Sequence, residues 1–142
     1  MIGWIGATFP QLVQSGFTPV SNPDGSYNCI AFAAGIDDEW WEDTIGYKWP
    51  GPRSRFIDSL VAVFEGLEFV TCDNGLLEPG YDKIALYALG SIWTHAARQR
   101  SDGKWISKLG PDEDIEHNTA EGLQGARYGF VYCFMRRHHG EG

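Results

Sequence analysis

The sequence predicts an α+β fold in which N-terminal helices pack on a mostly antiparallel β-sheet. Two observations lead to this prediction. Apolar residues recur at helical spacing in the first half of the chain, whereas the pattern from residue 67 onward is that of strands. The tripeptide Ser101-Asp102-Gly103 then joins two of these strands as a short hairpin, which pairs antiparallel neighbours. With 142 residues, of which 43% are hydrophobic, the chain is expected to form one domain spanning residues 1–142.

The first predicted helix follows an N-terminal loop. Residues 1–26 are rich in Gly, Pro, Ser and Asn, which predicts mostly loop. The Ala-rich segment 27–35, YNCIAFAAG, predicts a helix that begins at or just before Cys29 and stops at Gly35. Three adjacent residues are suited to cap the start of this helix: Ser26, Tyr27 and Asn28.

One longer helix and five strands complete the predicted fold. Residues 53–65 carry apolar side chains at helical spacing, and Ser54 and Gly66 are suited to cap and to end this amphipathic helix. A short helix is predicted within residues 112–123. The strands are predicted at residues 67–71, 83–88, 92–100, 104–109 and 128–135.

The charge of the chain argues against nucleic acid and membranes as partners. The formal net charge is −8, and the 11 Lys and Arg residues are scattered, whereas binding to phosphates needs a basic stripe. No apolar run approaches the ~18 residues of a membrane span. The N-terminus lacks the basic segment and apolar run of a signal peptide. We therefore expect a cytoplasmic protein, or an effector delivered without an N-terminal signal.

The cysteines and histidines do not form a recognisable metal motif. Cys29, Cys72 and Cys133 are odd in number and far apart, which predicts neither a disulfide framework nor a metal knuckle and fits a reducing compartment. The four histidines form no close cluster with cysteine or aspartate. We expect neither a metal site nor another cofactor.

Cys29 is the predicted nucleophile. A thiol at the start of a helix faces the positive end of the helix dipole and free backbone N–H groups, and a neighbouring imidazolium favours the thiolate further. We therefore expect the pKa of Cys29 to lie below that of a free thiol. The alternative is a buried cysteine that acts as a small hydrophobic residue. This alternative is favoured for Cys72 and Cys133, which lie in or beside apolar strands.

His95 is the predicted general base for Cys29. It lies on a predicted strand 66 residues after the cysteine, and the small side chains of Ala96 and Ala97 leave room for another group to approach. The alternative interpretation is a core histidine with satisfied hydrogen bonds. The order of a helix-start cysteine followed by a strand histidine favours the catalytic interpretation.

Two segments, YNCIAFAAG and THAARQRSDGKWISKLG, resemble the papain-like cysteine hydrolases, and most closely the NlpC-type and CHAP-type amidases. They are also similar to an uncharacterised bacterial domain family. The resemblance covers roughly residues 27–135 as an order of elements. It implies a papain-like fold in which Cys29 opens a helix packed on the sheet and His95 begins a strand. The glutamine that often forms the oxyanion hole is missing, and three residues are available as substitutes: Asn22, Tyr27 and Asn28.

The residue that orients His95 depends on the register of the hairpin. With a three-residue loop at 101–103, Ala97 faces Ser107, and Ser107 then lies on the same face of the sheet as His95. A two-residue loop would turn Ser107 to the other face. We favour the three-residue loop and Ser107. The following loop offers three alternatives: Asp112, Asp114 and Glu116.

Two further groups have competing interpretations. His117 and Asp114 share a face at helical spacing, so they form either a rival catalytic pair or an exposed helix pair, and we prefer the second. Residues 37–52 form a Trp-rich acidic loop whose tryptophans belong either to the core or to the wall of a cleft for a cationic substrate. These residues are Trp40, Trp41 and Trp49.

Two functions follow from these residues. The first is acyl transfer from an amide or ester to Cys29 and then to water, with His95 moving the proton and backbone N–H groups holding the oxyanion. Its substrate would be a peptide, a protein or a small amide, and peptidase, amidase, deamidase and transglutaminase share the apparatus. The second is a catalytically inactive papain-like module that recognises a partner through the Trp-rich loop.

Overall fold

The computed structural model describes residues 3–19, 26–36, 38–109 and 114–138, and these form an α+β fold around one antiparallel sheet. The strands are β1 (Phe17–Pro19), β2 (Val70–Cys72), β3 (Tyr81–Leu89), β4 (Ile92–Gln99), β5 (Trp105–Lys108), β6 (Asp114–His117) and β7 (Phe130–His138). The helices are α1 (Gly3–Thr8), α2 (Pro10–Ser15), α3 (Cys29–Ala33) and α4 (Ile57–Gly66), with a 3₁₀ helix at Ala120–Leu123. In this part of the chain the sheet has seven strands in the order β1-β6-β5-β4-β3-β7-β2. The predicted α+β class is confirmed.

Helices cover both faces of the sheet because both faces carry apolar side chains. Along β3, Ile84 and Leu86 pack in one core cluster with residues of α3 and α4. The intervening Ala85 and Tyr87 pack in a second cluster with residues of α1, α2 and the 3₁₀ helix. Successive side chains of a strand point to opposite faces, so the two clusters lie on opposite sides of the sheet. We call them the α3 face and the α1 face.

Helix α3 begins at Cys29, as the sequence predicts, because Asn28 caps it. Asn28 has an extended backbone, and its side-chain Oδ1 accepts a hydrogen bond from the backbone N–H of Ala31 at 3.2 Å. The helix ends before Gly35, which has a φ of +89° that only glycine adopts easily. This short helix therefore holds Cys29 at a fixed point above the sheet.

The prediction that residues 1–26 are mostly loop is wrong for the described part of that segment. Two short helices precede α3, and Pro10 stands in the first turn of α2, where the missing N–H of proline costs nothing. Three buried side chains of this segment recur at helical spacing and pack on the α1 face, namely Ile5 of α1, Leu12 of α2 and Phe9 between the two helices. The abundance of Gly and Pro hid this short periodic pattern.

The predicted hairpin and its register are confirmed. The backbone N–H of Arg100 donates to the carbonyl of Lys104 at 2.7 Å, and the three-residue loop between them ends at Gly103 with a φ of +89°. The strand pairing then places Arg98 opposite Ile106. Ser107 and His95 consequently share the α1 face.

The predicted short helix at residues 112–123 is wrong in part. Residues 114–117 form strand β6, which pairs with β5, and only residues 120–123 are helical, as a 3₁₀ turn. In a strand, side chains three residues apart point to opposite faces, so Asp114 faces α3 whereas His117 faces α1. The two residues do not form the predicted helix pair.

Tyr87 on β3 lies between two irregularities of the sheet. The pairing of β3 with β4 shifts between Tyr87 and Ala88, so Thr94 is an extra residue on β4. The pairing of β3 with β7 shifts one residue earlier, between Leu86 and Tyr87, and Tyr132 is the extra residue on β7. Such bulges bend a sheet locally and redirect side chains. The bulge at Thr94 directly precedes His95 in β4.

Candidate functional site

Cys29 lies at the start of α3 on the α3 face of the sheet. It belongs to the core cluster that contains Ala96 and Leu86, and only 8% of its surface is exposed. Burial raises the pKa of the Cys29 thiol to about 11, although backbone hydrogen bonds from Ala96 and Ile30 act in the opposite direction. The predicted lowering of this pKa is therefore wrong, because desolvation of the thiolate outweighs the N–H groups of the helix start.

His95 lies on the other side of the sheet from Cys29. Its ring stacks on Tyr128 with centroids 4.2 Å apart, and it meets Tyr87 edge-on at 5.2 Å. It is fully buried, and neither ring nitrogen has a hydrogen-bond partner in the described part of the chain. Burial lowers the pKa of His95 well below 6.5, and nearby His117 lowers it further. The predicted contact between His95 and Cys29 is therefore not present in this structure.

Ser107 bonds to His117 and not to His95. The Nε2 atom of His117 lies 2.8 Å from the Ser107 hydroxyl, and its Nδ1 atom lies 2.8 Å from the carbonyl oxygen of Thr119. Because a carbonyl only accepts, Nδ1 carries the proton and Nε2 accepts from Ser107. Burial lowers the pKa of His117 to about 4, although the bond to Thr119 opposes this shift. The serine therefore orients the histidine that the sequence suggested as a rival base.

Asn28, one of the predicted oxyanion donors, is occupied by structural hydrogen bonds. Its amide Nδ2 donates to the carbonyl of Trp41 at 2.7 Å, and Oδ1 accepts from the backbone N–H of Trp41 and Ala31, each at 3.2 Å. These bonds fasten the Trp-rich loop to the start of α3. The predicted substitute Asn22 lies outside the described residues.

Tyr27, the other predicted oxyanion donor, belongs to a buried polar group on the α3 face. Its hydroxyl donates to Asp114 Oδ2 at 2.9 Å, and the Lys108 ammonium lies 4.8 Å from the centre of its ring. Lys108 and Asp114 face each other across β5 and β6. The phenol is thereby directed at a carboxylate.

The tryptophans of residues 38–52 belong mainly to the core, so of the two interpretations that the sequence left open the core applies to Trp41 and Trp49, and these two are not walls of a cleft. Trp41 and Trp49 are buried, and Trp49 stacks on Trp93 with ring centroids 5.2 Å apart. Trp40 is half-buried and donates its indole N–H to Glu42 at 2.7 Å. The indole rings are large apolar groups, and burying them stabilises the loop against α4 and β4.

A cleft of about 510 Å³ opens at the end of α3 that is opposite to Cys29. Its apolar lining includes Ala34, Phe69 and Leu77. Its charged lining consists of four basic and two acidic residues, namely Lys83, Arg98, Arg100, Arg137, Glu78 and Asp82. Clefts of this size with a few polar groups are the usual form of sites for small molecules.

Sequence reasoning did not single out this cleft. Alternation along THAARQR would have placed Arg98 on the same face as Ala96. The other walls come from Phe69 and from the loop at residues 77–80, and only the folded chain brings them beside β4. A strand pattern predicts the face of a side chain but not its distant neighbours.

The described residues contain no group of three or more His, Cys, Asp and Glu side chains arranged to hold a metal ion. None of their helices is both long and apolar enough to cross a membrane.

Comparison with known proteins gives a family but no function. No curated protein and no solved structure matched the chain. The family described as a domain of unknown function (DUF7689) matches residues 19–136, which include α3, the five strands β2 to β6 in full and most of β7. This match covers well over half of the 142 residues. The chain therefore belongs to the DUF7689 family.

Proposed function

We propose that this domain binds a small ligand in the cleft at the end of α3, and that Cys29 and His95 do not act as a catalytic pair. The observation that carries the proposal is the position of the two side chains on opposite faces of the sheet. A base must come within hydrogen-bond reach of the thiol to take its proton. His95 instead stacks on Tyr128 and bonds to no described residue.

The weak acidity of the Cys29 thiol supports the same proposal. With a pKa of about 11, the Cys29 thiol is ionised to roughly one part in ten thousand at pH 7. The backbone N–H groups of Ile30 and Cys29 at the start of the helix, together with that of Ala96, hydrogen-bond to the sulfur itself. A nucleophile would need a lower pKa and a free oxyanion site.

A papain-like origin of the scaffold is part of the proposal. It is supported by a helix that begins at Cys29 and packs on an antiparallel sheet, and the strands β2 to β7 of this sheet follow the helix in the chain. A scaffold of this kind keeps its fold when it loses its chemistry, and its cleft is then available for binding. The cleft replaces the Trp-rich loop as the proposed contact surface, because Trp41 and Trp49 are buried.

Cysteine labelling at pH 7 tests this proposal against the hydrolase. A thiol-reactive probe is added at limiting concentration, and the labelled positions are read by mass spectrometry. We expect Cys72 to react fastest, because it is half-exposed and the pKa of both Cys29 and Cys133 is raised to about 11. Preferential labelling of Cys29 would support the hydrolase instead, and loss of that preference in His95→Ala would assign His95 as its base.

A further inference from the structure

We infer that the cleft at the end of α3 binds its ligand through an anionic group, a carboxylate or a phosphate, and that Arg98 is the residue that holds this group. The inference rests on the proposed binding function and adds the chemical class of the ligand.

The guanidinium of Arg98 is available for a ligand. Arg98 projects from β4 on the α3 face and lines the cleft, where its guanidinium lies over the ring of Phe32 at 4.3 Å from the centroid. It makes no hydrogen bond and no ion pair with any residue that the structure describes. A guanidinium has five N–H donors, so Arg98 retains its capacity to bind a carboxylate or phosphate with two parallel hydrogen bonds.

The other basic residues of the cleft are already paired. The guanidinium of Arg137 bonds to the carbonyl of Leu67 and to Asp82. The Lys83 ammonium lies 2.7 Å from a carboxylate oxygen of Glu78. Because the two acidic residues of the lining are both engaged in this way, Arg98 adds a positive charge that no acidic lining residue offsets.

Arg100, the fourth basic residue of the lining, is also paired. It lies two residues beyond Arg98 on the same face of the strand and shares its charge with Glu116 at 2.7 Å and Asp102 at 3.2 Å. These carboxylates offset the charge of Arg100. Arg98 is therefore the basic residue of the lining that pairs with no carboxylate of the described residues, although the chain as a whole carries a charge of −8.

The position of Arg98 on a ring favours recognition over simple solvation. Stacking on Phe32 restricts the plane of the guanidinium, so less conformational freedom is lost when its edge meets a planar anion. Phe69, Leu77 and Ile84 provide apolar surface within the same cleft. An anionic group joined to an apolar body fits both parts of this lining.

Titrations of the isotope-labelled protein with two probes test the inference. One probe is inorganic phosphate and the other is benzoate, an apolar carboxylate, and added NaCl keeps the ionic strength constant. We expect saturable shifts of the backbone amide signals of Ala34, Gly35, Gly80 and Arg98 with at least one probe. Saturation by one probe alone supports the inference and identifies its preferred anion.

Variants of two stacked arginines provide the matched comparison. Arg98→Gln should weaken binding about tenfold or more, because a charged hydrogen-bond donor is lost. Arg98→Lys keeps the positive charge but loses the planar pair of N–H donors. Its affinity for the probe should lie between that of Arg98→Gln and that of the unmodified chain. Arg55 also lies over an aromatic ring, Trp93 at 4.0 Å, but outside the cleft, so Arg55→Gln should bind as the unmodified chain does. The amide spectrum of each variant checks that it is folded.

Two results would overturn the inference. One is the absence of saturable shifts with both probes, and the other is equal weakening of binding by Arg98→Gln and Arg55→Gln. Neither result depends on the reactivity of Cys29, so the proposed absence of a Cys29–His95 pair is tested separately by cysteine labelling.

Discussion

The rings of His95 and Tyr128 lie 4.2 Å apart with an angle of 7° between their planes. The ring of Tyr87 contacts His95 edge-on, and the hydroxyl of Tyr87 donates to the carbonyl oxygen of Ala120. His95 therefore contributes a flat ring to an aromatic group inside the α1 face. Its two nitrogens are buried without partners among the described residues, which is costly for polar atoms.

Substitution of His95 should separate a packing role from a chemical one. We expect His95→Phe to change the free energy of unfolding by less than about 1 kcal/mol, because the loss of two unpaired polar atoms offsets some overpacking. His95→Ala leaves a cavity and should cost about 3 kcal/mol. Urea unfolding measures both values. A loss for the phenylalanine variant as large as that for the alanine variant would contradict a packing role for the ring.

The stability of the domain should depend on pH through its two buried histidines. The pKa of His117 falls from 6.5 to about 4 on folding, and that of His95 is also lowered. The unfolded chain therefore binds protons more readily, so their contribution is present above pH 6.5 and is lost as pH falls toward 4. For His117 alone the shift corresponds to about 3 kcal/mol, most of which is lost by pH 4.5.

Urea unfolding at pH 7.5 and pH 4.5 measures this dependence. His117→Gln should reduce the loss of stability between the two pH values, because one titrating group is removed. An equal pH dependence in the variant and the unmodified chain would show that His117 is protonated alike in the folded and unfolded chains.

The Ser107–His117 bond should be visible in both stability and spectra. Ser107→Ala leaves the Nε2 atom of His117 without its donor and should cost about 1–3 kcal/mol in unfolding free energy. In a His117→Phe background the same change should cost less, because the acceptor is already gone. Nitrogen chemical shifts of the imidazole should report a proton on Nδ1. A proton on Nε2 would contradict the bond directions described above.

Local sequence rules predicted the parts of the fold that depend on neighbouring residues. The start of α3 follows from Asn28 as a cap, and the hairpin register follows from Gly103 at the end of a three-residue loop. Ser107 and His95 share a face for this reason. The helices α1 and α2 were missed because glycine and proline dominate the composition there, although Ile5, Phe9 and Leu12 recur at helical spacing.

The candidate site was less predictable because it depends on packing between distant segments. The face of His95 relative to Cys29 is set by the side of the sheet on which α3 packs, and no pattern within either segment encodes that choice. The pKa of Cys29 depends in turn on burial by the folded core, which outweighs the local effect of the helix start. The cleft around Arg98 likewise joins segments far apart in the chain.

The cap at Asn28 should contribute strongly to stability. Asn28→Ala removes two hydrogen bonds to the backbone of Trp41 and the cap bond from the backbone N–H of Ala31, and we expect a loss of about 2–4 kcal/mol in unfolding free energy. Asn28→Asp keeps the capping oxygen but loses the amide donor, so its loss should be smaller. Thermal and urea unfolding of both variants check this order. Equal stability of Asn28→Ala and the unmodified chain would contradict the described role of the cap.

The pKa of the Cys29 thiol tests the central claim most directly. It is obtained from the rate of alkylation as a function of pH, in a Cys72→Ser, Cys133→Ser background because the pKa of Cys133 is also raised to about 11. The measurement is repeated with His95→Ala. We predict a pKa near 11 for Cys29 with and without His95, because burial sets it and the imidazole lies across the sheet. A pKa below that of a free thiol, rising when His95 is replaced, would contradict this account and identify a thiolate–imidazolium pair.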